Sequence, residues 1–480
     1  MNIQRNSKDG SARSVIIIGG GIGGLFSAWK LLKKGYNVTV LERQNSLGGL
    51  STSILYNEYK MDIGPHFVTF PKKSELTEEI KELMNDNIIS IPNIHQAYRI
   101  FFRNLVLDKY PTLYETIFSK GLNSFIHSLF SFFVSKIKHL MNNSDFTSAE
   151  EYLIFNYGNY LYKTWFKPYL DFTYRTNDIP FESIKEKFPL LRFKEVLQKT
   201  SKRIKKEDLS NHSPSVNYWY FKYGMGTLPN TLSEKIKSLG GKIILGTDVK
   251  NIEHDKVPKE ILIVKDDIED ILKADIILYA TPPNVTKKWF KKYQELDFTP
   301  SLSAQSIMVF LFINTPKVVN WWVITNYDTN LPFFRISHQN FLSDHVCPSG
   351  KSLLCVEISS KEDKELWNLD DSKLIKKIKE GLNKMQIFDV NKIEDYKIFK
   401  FKNLYHGVES NRNVMTKKIF NIINSLKNEF MVGVEIDAGT LVTQRLEEES
   451  SGKSAISLGG VYMSLEKSDA VVKKITSWGK

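Results

Sequence analysis

Three glycines and one acidic residue near the N-terminus stand at a spacing that has a chemical use. Gly19, Gly21 and Gly24 form the pattern G-x-G-x-x-G, and Glu42 lies 18 residues beyond the last of them. Glycines at these positions allow a pyrophosphate to approach the backbone and the amide groups at the start of a helix. A carboxylate at this distance can accept hydrogen bonds from ribose hydroxyls. These residues therefore predict a dinucleotide-binding site.

The flanking residues predict the strand, turn and helix that such a site needs. Residues 15–18 are consecutive β-branched residues, which is typical of a strand buried on both faces of a parallel sheet. After the glycines, apolar residues recur at helical spacing, namely Leu25, Ala28, Leu31 and Leu32. Gly35 suits the end of that helix, and residues 36–41 form a second apolar strand that leads to Glu42. This context makes the dinucleotide interpretation stronger than the glycines alone do.

The rest of the sequence carries no pattern that indicates a disulfide scaffold or a metal site. Its two cysteines, Cys347 and Cys355, form no CxxC pattern, and its histidines do not cluster. We therefore expect no disulfide scaffold and no metal site, and the cysteine usage favours a reducing cytoplasm. Residues 1–13 form a polar tail of mixed charge without the apolar core of a signal peptide.

The composition is that of a globular protein with room for two domains. Of the 480 residues, 42% are hydrophobic and 12% are aromatic, and the formal net charge is +12. A basic excess can serve an anionic membrane, nucleic acid or a phosphorylated substrate, or it can reflect a generally lysine-rich composition. We expect a small organic molecule and no nucleic acid as partner, and the sequence leaves the oligomeric state open.

Two further stretches indicate which dinucleotide is bound. ERQNSLGG places a second glycine pair after Glu42, and MDIGPH follows at residues 61–66. With these motifs the chain resembles the large family of FAD-dependent amine oxidases, phytoene desaturases and protoporphyrinogen oxidases, and more distantly the UDP-galactopyranose mutases. The resemblance implies FAD as cofactor, with both glycine segments close to its phosphates. The residues concerned are Gly19, Gly21, Ile22, Gly23, Gly24, Gly48, Gly49 and Leu50.

In this family, the segment that matches DIGPH approaches the isoalloxazine ring. The resemblance therefore places Gly64, Pro65 and His66 beside the flavin. An imidazole in that position can move a proton, although the neighbouring residues favour packing against the cofactor. Arg43, next to the acid, is expected either to stack on or pair with the adenosine half of FAD, or to be a solvated surface residue.

The middle of the chain extends the resemblance. FKYGMGTLPNTLSEKIKSLGGKIILGTDVKNIEHD, residues 221–255, looks like the family's glycine-rich segment, helix and strand pair. The residue that matches Val249 contacts adenine through its backbone in that family. ADIILYATPP, residues 274–283, looks like another strand of the nucleotide domain. The expected helix carries apolar residues at helical spacing, namely Leu228, Leu232, Ile236 and Leu239.

The C-terminal region resembles the closing FAD motif of the family. There the end of a strand holds the ribityl chain, and a helix N-terminus faces the flavin pyrimidine, whose partial negative charge it favours. FMVGVEIDAGT places Glu435 where the family usually has an aspartate. SAISLGGVYMSLEKSDAVVKKI would provide the helix, with Val461, Tyr462 and Met463 at its start.

The resemblance implies an α/β fold in which a Rossmann-like FAD-binding domain is interleaved with an α+β substrate domain. We expect residues 14–80, 215–290 and 405–480 in the FAD-binding domain, and residues 81–214 and 291–404 in the substrate-binding domain. The inserted segments are rich in aromatic residues. They contain three candidates for binding an anionic substrate, each of which can equally form an ordinary surface or interdomain pair. These are Tyr169, Arg175 and Arg335.

Residues 121–141, GLNSFIHSLFSFFVSKIKHLM, carry a wide apolar stripe at helical spacing. No Asp or Glu occurs from residue 116 to residue 144, whereas Lys120, Lys136 and Lys138 are present. A basic amphipathic helix of this kind can lie in a membrane interface, and a helix buried in the substrate domain is the alternative. The sequence thus allows a cytoplasmic protein with peripheral membrane contact through residues 121–141.

These observations favour an FAD-dependent oxidoreductase that dehydrogenates or desaturates a bulky apolar or amphipathic organic substrate. In such enzymes the cofactor performs the chemistry and the protein orients it, so the sequence identifies no catalytic residue. One alternative is a flavoenzyme similar to UDP-galactopyranose mutase that acts on a nucleotide-sugar. Another is a binding protein without enzymatic activity, similar to the Rab-escort and GDP-dissociation-inhibitor proteins.

Overall fold

The computed structural model divides the chain into two compact units built from alternating segments. Unit 1 comprises Met1–Ile91, Ser215–Thr299 and Asn411–Lys480, and unit 2 comprises Pro92–Pro214 and Pro300–Ser410. Within these units the structure describes residues 12–91, 94–102, 105–108, 123–124, 126–137, 146–174, 179, 184, 216–290, 304–328, 330–359, 364–405, 410–432 and 460–478.

Strands and helices are numbered here along the whole chain. The strands of unit 1 are β1 (Ser14–Ile18), β2 (Asn37–Leu41), β3 (Ser53–Tyr56), β4 (Tyr59–Asp62), β5 (Val68–Pro71), β6 (Ile88–Ser90), β9 (Val216–Phe221), β10 (Lys242–Ile244), β11 (Thr247–Glu253), β12 (Lys259–Lys265), β13 (Ile268–Ala274), β14 (Ile276–Tyr279) and β20 (Glu429–Met431). Its helices are α1 (Ile22–Lys33), α2 (Glu75–Met84), α7 (Thr227–Ser238), α8 (Pro283–Thr286), α11 (Ser410–Ser425, which begins at the last residue of unit 2) and α12 (Gly460–Trp478), with short 3-10 helices at Asn85–Asn87 and Lys287–Trp289.

The core of unit 1 is a parallel sheet in the order β10-β2-β1-β14-β20. The side chains of residues 15–18 are all buried, which confirms the predicted strand. Helix α1 packs against α7 and α12, while the antiparallel meander β11-β12-β13 and helix α11 share a hydrophobic core with β1 and β14. Both faces of the sheet are therefore covered, as a parallel sheet requires.

The predicted helices of unit 1 are confirmed, with one residue misplaced. Leu25, Ala28, Leu31 and Leu32 are buried on α1, and Leu228, Leu232 and Ile236 are buried on α7. Leu239 was expected on the same apolar face, but it is the C-cap of α7 and is 46% exposed. The helix ends before this position because Gly240 takes a positive φ of 83° and turns the chain.

Unit 2 is built on a seven-stranded mixed sheet. Its strands are β7 (Tyr98–Phe102), β8 (Leu105–Asp108), β15 (Ala304–Ile313), β16 (Val323–Asn326), β17 (Arg335–His338), β18 (Ser352–Ser359) and β19 (Ile393–Tyr405), in the order β19-β15-β18-β17-β16-β7-β8. Its helices are α3 (126–137), α4 (Ala149–Tyr157), α5 (Asn159–Leu161), α6 (Lys167–Tyr174), α9 (Lys364–Asn368) and α10 (Asp371–Met385), with a π-helix at Tyr162–Phe166 and 3-10 helices at Ile94–Ala97, Gln339–Phe341, Asp344–Val346 and Val390–Lys392. Helix α10 packs its apolar face on this sheet. The parallel sheet of unit 1 with its helices and the mixed sheet of unit 2 with its helices together confirm the fold class expected from the sequence.

A buried ionic cluster ties β20 of unit 1 to the meander. The Glu429 carboxylate is fully buried and lies 3.1 Å from the Lys259 ammonium and 2.8 Å from the Tyr279 hydroxyl, which donates to it. His254 reaches the same carboxylate through Nδ1 at 3.0 Å, and its Nε2 lies 3.0 Å from the carbonyl of Trp289. Both ring nitrogens thus face groups that only accept, an arrangement that favours the doubly protonated imidazolium.

This cluster predicts a pH-dependent stability. Burial lowers the pKa of His254, but its hydrogen bonds to Glu429 and to the Trp289 carbonyl outweigh burial and leave the pKa raised. The stabilisation is therefore fully present below the unfolded pKa of about 6.5 and is lost as the pH rises through the folded value. In thermal unfolding, the difference in Tm between the wild type and His254→Gln should be largest in mild acid and shrink toward alkaline pH. A difference that does not change with pH would contradict the assignment.

Candidate dinucleotide-binding site

The turn between β1 and α1 brings two backbone segments into a contact that only glycine allows. Gly19 has a φ of +116°, and a Cβ added to it would lie 2.6 Å from the carbonyl oxygen of Ala280. A Cβ on Gly24 would lie 2.0 Å from the carbonyl oxygen of Gly19. The first and third glycines of the motif therefore serve the tight turn and the packing of helix on strand.

Gly21 differs from these two glycines because open space adjoins it. Among the described residues, a Cβ added to Gly21 would meet no atom within 4 Å. Gly21 is the N-cap of α1, where no described side chain caps the helix and the first turn holds no acidic residue. The amide groups of the first turn and the positive end of the helix dipole are therefore available to an anion at this opening.

The second glycine pair lies directly against the first motif. The Gly48 amide donates to the Gly20 carbonyl at 2.8 Å, and Gly48 forms a parallel β-bridge with Gly21. A Cβ on Gly49 would lie 3.7 Å from the Cα of Gly21, and the side chain of Leu50 is 51% exposed. The two motifs, which are separated in sequence, thus border the same opening.

Glu42 lies at the end of β2, beside this opening. Its Oε2 accepts from the Gly20 amide at 2.7 Å, and its Oε1 accepts from the Gln44 amide at 2.8 Å. Each carboxylate oxygen keeps accepting capacity, so a half-buried Glu42 held in this way can still bind ribose hydroxyls. The neighbouring Arg43 side chain is exposed.

Ile22 and Gly23, which the resemblance placed near the phosphates, have structural contacts of their own. Ile22 is buried. A Cβ on Gly23 would lie 2.9 Å from the Ser464 hydroxyl and 3.0 Å from Cγ1 of Val432, while the Ser468 hydroxyl donates to the Gly23 carbonyl at 3.0 Å. Gly23 therefore lets α12 pack closely on the first turn of α1, a packing role that the local motif does not reveal.

The start of α12 lies over the sheet formed by β5, β9 and β6. The ring of Tyr462 packs edge-on against Phe70 at 5.4 Å, and Phe70 stacks on Trp219 at 4.9 Å. Val461 and Met463 are half-buried beside it. Glu435 lies outside the described residues, so its expected contact with the ribityl chain stays a prediction.

A buried carboxylate holds the DIGPH segment in place. Asp62 accepts hydrogen bonds from the Ser53 hydroxyl at 2.6 Å, the Tyr220 hydroxyl at 2.5 Å and the Met225 amide at 3.0 Å. Burial raises the pKa of Asp62, and these donors oppose that rise. Sequence reasoning missed this network; its local signal was an acidic residue at the end of the short strand β4, between the apolar residues Met61 and Ile63.

His66 follows this anchor by four residues. Its Nε2 lies 2.7 Å from the Ile63 carbonyl, which only accepts, so Nε2 carries a proton and donates it. Between them, Gly64 takes a positive φ of 89° and Pro65 is half-buried. The residues expected beside the flavin therefore form one turn, and the hydrogen bonds of Asp62 fix the start of that turn.

Two further residues predicted at the site, Val249 and Arg335, have described hydrogen-bond partners. Val249 is buried on β11, and its carbonyl accepts a hydrogen bond from Nε1 of Trp289 at 3.0 Å. Arg335 donates from Nε and Nη2 to the two carboxylate oxygens of Glu357, each at 2.6 Å. Tyr169 lies on α6 with its side chain outside the described residues, and Arg175 lies outside them altogether.

The glycine cradle, the uncapped helix start and Glu42 together fit a dinucleotide, and the comparisons with known proteins identify the family. The family model of flavin containing amine oxidoreductases matches residues 22–416. The chain belongs to this family, which confirms the resemblance seen in its sequence and its assignment as an oxidoreductase.

Curated relatives are similar to this chain in sequence, and solved structures are similar to it in fold. A coproporphyrinogen III oxidase of Staphylococcus aureus is 23% identical over 401 residues, covering 78% of this chain and 84% of that protein. A 4,4'-diaponeurosporene oxygenase of the same species is 23% identical over 428 residues, covering 79% and 82%. In fold, the chain is similar to a reduced UDP-galactopyranose mutase (TM-score 0.75, 16% identity, coverage 97% and 96%) and to a putative protoporphyrinogen oxidase from Exiguobacterium sp. 255-15 (0.64, 14%, 98% and 99%).

Substitutions at two glycines should separate cofactor binding from folding. Gly21→Val adds a Cβ that meets no described atom within 4 Å and fills the opening with methyl groups, so the protein should fold but lose at least about a hundredfold in flavin affinity. Gly24→Val drives a side chain into the Gly19 carbonyl and should prevent folding. Circular dichroism and flavin titration check both, and a yellow, folded Gly21→Val protein would show that the anion site lies elsewhere.

Removal of one donor from Asp62 should weaken unit 1. Tyr220→Phe leaves a buried carboxylate with one hydrogen bond fewer, which should cost about 1–3 kcal/mol in the free energy of unfolding. Urea unfolding measures this loss. An unchanged midpoint would mean that the hydroxyl contributes nothing to holding the DIGPH turn.

Proposed function

We propose that this flavin containing amine oxidoreductase binds FAD and dehydrogenates or desaturates a bulky apolar or amphipathic organic molecule. The observation that carries the proposal is the opening at Gly21, bordered by the second glycine pair and by Glu42. These groups supply amides for a pyrophosphate and a carboxylate for a ribose, which are the parts that FAD presents there. We infer that unit 1 is the cofactor domain and unit 2 the substrate domain.

Each part of the cradle has a separate task in this proposal. The first-turn amides of α1 bind the pyrophosphate, Glu42 binds the ribose, and the backbone at Val249 meets the adenine. Glu435 and the start of α12, with Val461, Tyr462 and Met463, hold the ribityl and pyrimidine parts. A bound flavin supplies the oxidant, since it takes up two electrons and a proton from a substrate C–H bond.

His66 can hold a proton beside the reacting atoms. Its Nε2 is committed as a donor to the Ile63 carbonyl, which leaves Nδ1 as the ring nitrogen that faces away from this hydrogen bond. The Asp62 anchor fixes the turn on which this ring stands. In the proposed reaction, His66 orients the ring of the cofactor by packing against it.

The substrate class is supported by the relatives and by the state of Arg335. The two curated relatives are named for coproporphyrinogen III and for diaponeurosporene. A nucleotide-sugar would need arginine forks for its diphosphate. Two donors of the Arg335 fork already bind Glu357, which is fully buried, and this supports an apolar or amphipathic substrate over a nucleotide-sugar.

We place the enzyme in a reducing compartment, where it takes its substrate at a membrane surface. Both cysteines are buried and neither forms a disulfide, in keeping with the cytoplasm. In the part of the chain that the structure describes, no helix is long and apolar enough to cross a bilayer. A large apolar substrate dissolves in membranes, so an enzyme that uses it gains from peripheral contact.

Anaerobic reduction of the purified yellow protein tests the substrate class. We expect porphyrinogens or carotenoids to bleach the flavin absorbance, and amines and nucleotide-sugars to leave it unchanged. UDP should perturb the flavin spectrum only weakly, in the wild type and in Arg335→Ala alike. Tight UDP binding that Arg335→Ala abolishes would make a function similar to that of the mutases the better proposal.

Glu42 should contribute to the affinity for FAD. Glu42→Ala removes the ribose acceptor, and the loss of a charged hydrogen bond should weaken FAD binding about tenfold to a hundredfold. The control is Glu82→Ala, which removes the same charge from an exposed position on α2. Reconstitution of the apoprotein followed by fluorescence gives both affinities, and equal values for the two variants would remove Glu42 from the site.

A further inference from the structure

Helix α3 of unit 2 is oriented with its apolar face toward solvent. Four large apolar side chains at helical spacing are exposed, namely Ile126 (53%), Phe130 (70%), Phe133 (50%) and Ile137 (58%). Spacings of four, three and four residues place them in one row along the helix, which extends over roughly 17 Å. This is the reverse of an ordinary surface helix, whose apolar side faces the core.

The opposite face of α3 is polar and buried. Ser128 and Ser135 of α3 and Ser124 just before it are at most 8% exposed, and the hydroxyl of Ser128 donates to the Ser124 carbonyl at 2.7 Å. The Ser131 hydroxyl accepts from the amide of Tyr160 at 2.9 Å, and the Tyr160 hydroxyl donates to the Ser124 hydroxyl at 3.0 Å. Specific hydrogen bonds to the residues of α5 therefore fix which face of α3 points outward.

Close backbone packing reinforces this orientation. A Cβ on Gly158 would lie 2.7 Å from the backbone nitrogen of Phe132, so the helix fits against a position where only glycine is small enough. Phe133 contacts the neighbouring Phe132 ring at 5.8 Å and still exposes half of its surface. The packing of α3 in unit 2 therefore keeps this apolar row exposed.

We propose that this row of α3 inserts into the interface of a membrane that contains anionic lipids. The charge of the segment supports a lipid occupant, because residues 116–144 contain lysines and histidines but no acidic residue, in a chain with a net charge of +12. An apolar row within a basic segment is the pattern of a helix that lies in the headgroup region of a bilayer. The proposal goes beyond the proposed oxidation and rests on it only for the kind of substrate that the membrane would deliver.

A second copy of this chain is a poorer occupant for the row. The exposed parts of four such side chains amount to about 400–500 Å², whereas a stable protein interface buries roughly 800 Å² on each partner. Two basic segments facing each other would also repel. A lipid surface has the opposite charge and needs no matching shape.

Vesicle flotation of the flavin-loaded protein tests the proposal. We expect the wild type to float with phosphatidylcholine vesicles that contain phosphatidylglycerol at low salt, and to float less with pure phosphatidylcholine or at high salt. Phe130→Asp with Phe133→Asp should reduce the bound fraction at least about tenfold. Flavin absorbance should not change and Tm should change little, because Phe130 is 70% and Phe133 50% exposed.

Controls separate the row from apolar exposure in general. Leu55→Asp with Val257→Asp alters two similarly exposed apolar residues of unit 1 (72% and 73%) and should leave flotation intact. Phe130→Gln with Phe133→Gln provides a second variant without added charge, so that the loss does not depend on a fold disturbed by aspartate. Flotation that survives both α3 variants, or a wild type that never floats, would overturn the proposal.

Two further readouts distinguish lipid binding from self-association and from the oxidation itself. Light scattering can show a dimer that the α3 variants lose while their vesicle binding stays unchanged. In that case a second copy of the chain is the occupant of the row, and the membrane proposal is overturned. Flavin reduction measured without vesicles reports on the proposed oxidation separately. A protein that floats but is reduced by no tested substrate would therefore support the membrane surface while rejecting the proposed substrate class.

Discussion

Unit 1 depends on one steric constraint, the close approach of α1 to the end of β1. Gly24 and the Gly19 carbonyl are so close that any side chain at Gly24 would overlap the strand exit. This closeness brings the start of α1 to the carboxyl edge of the parallel sheet, where β2 delivers Glu42 and the second glycine pair joins the same opening. In the proposed function, this opening binds an anion through the backbone amides at the start of α1.

Buried carboxylates fix the positions of segments whose contacts the local sequence does not predict. Asp62 gathers Ser53, Tyr220 and Met225 around the DIGPH turn, and Glu429 joins β20 to the meander. In unit 2, Glu357 binds the fork of Arg335. A buried charge is costly unless every oxygen is satisfied, so such groups specify one arrangement of distant strands more than they add stability.

The sequence predicted the elements whose signal is local and missed the contacts that are not. β1, α1 and Glu42 follow from a continuous apolar run, helical spacing and a fixed distance, all within about one βαβ unit. The packing role of Gly23 depends on Ser464, and the Asp62 network depends on Tyr220; both partners lie far away in sequence. Leu239 was misplaced because periodicity alone does not show where a helix ends.

Helix α3 shows the same limit in another form. Its apolar row was visible in the sequence, but a period of 3.6 residues states only that a helix has two faces, and the choice of outward face depends on what each face meets. Serine hydroxyls find partners on Tyr160 and on neighbouring carbonyls, whereas Phe130 and Ile137 meet solvent. The polar face is the one that the protein can satisfy with hydrogen bonds, so the apolar face is left for a partner that needs none, and a lipid interface is such a partner.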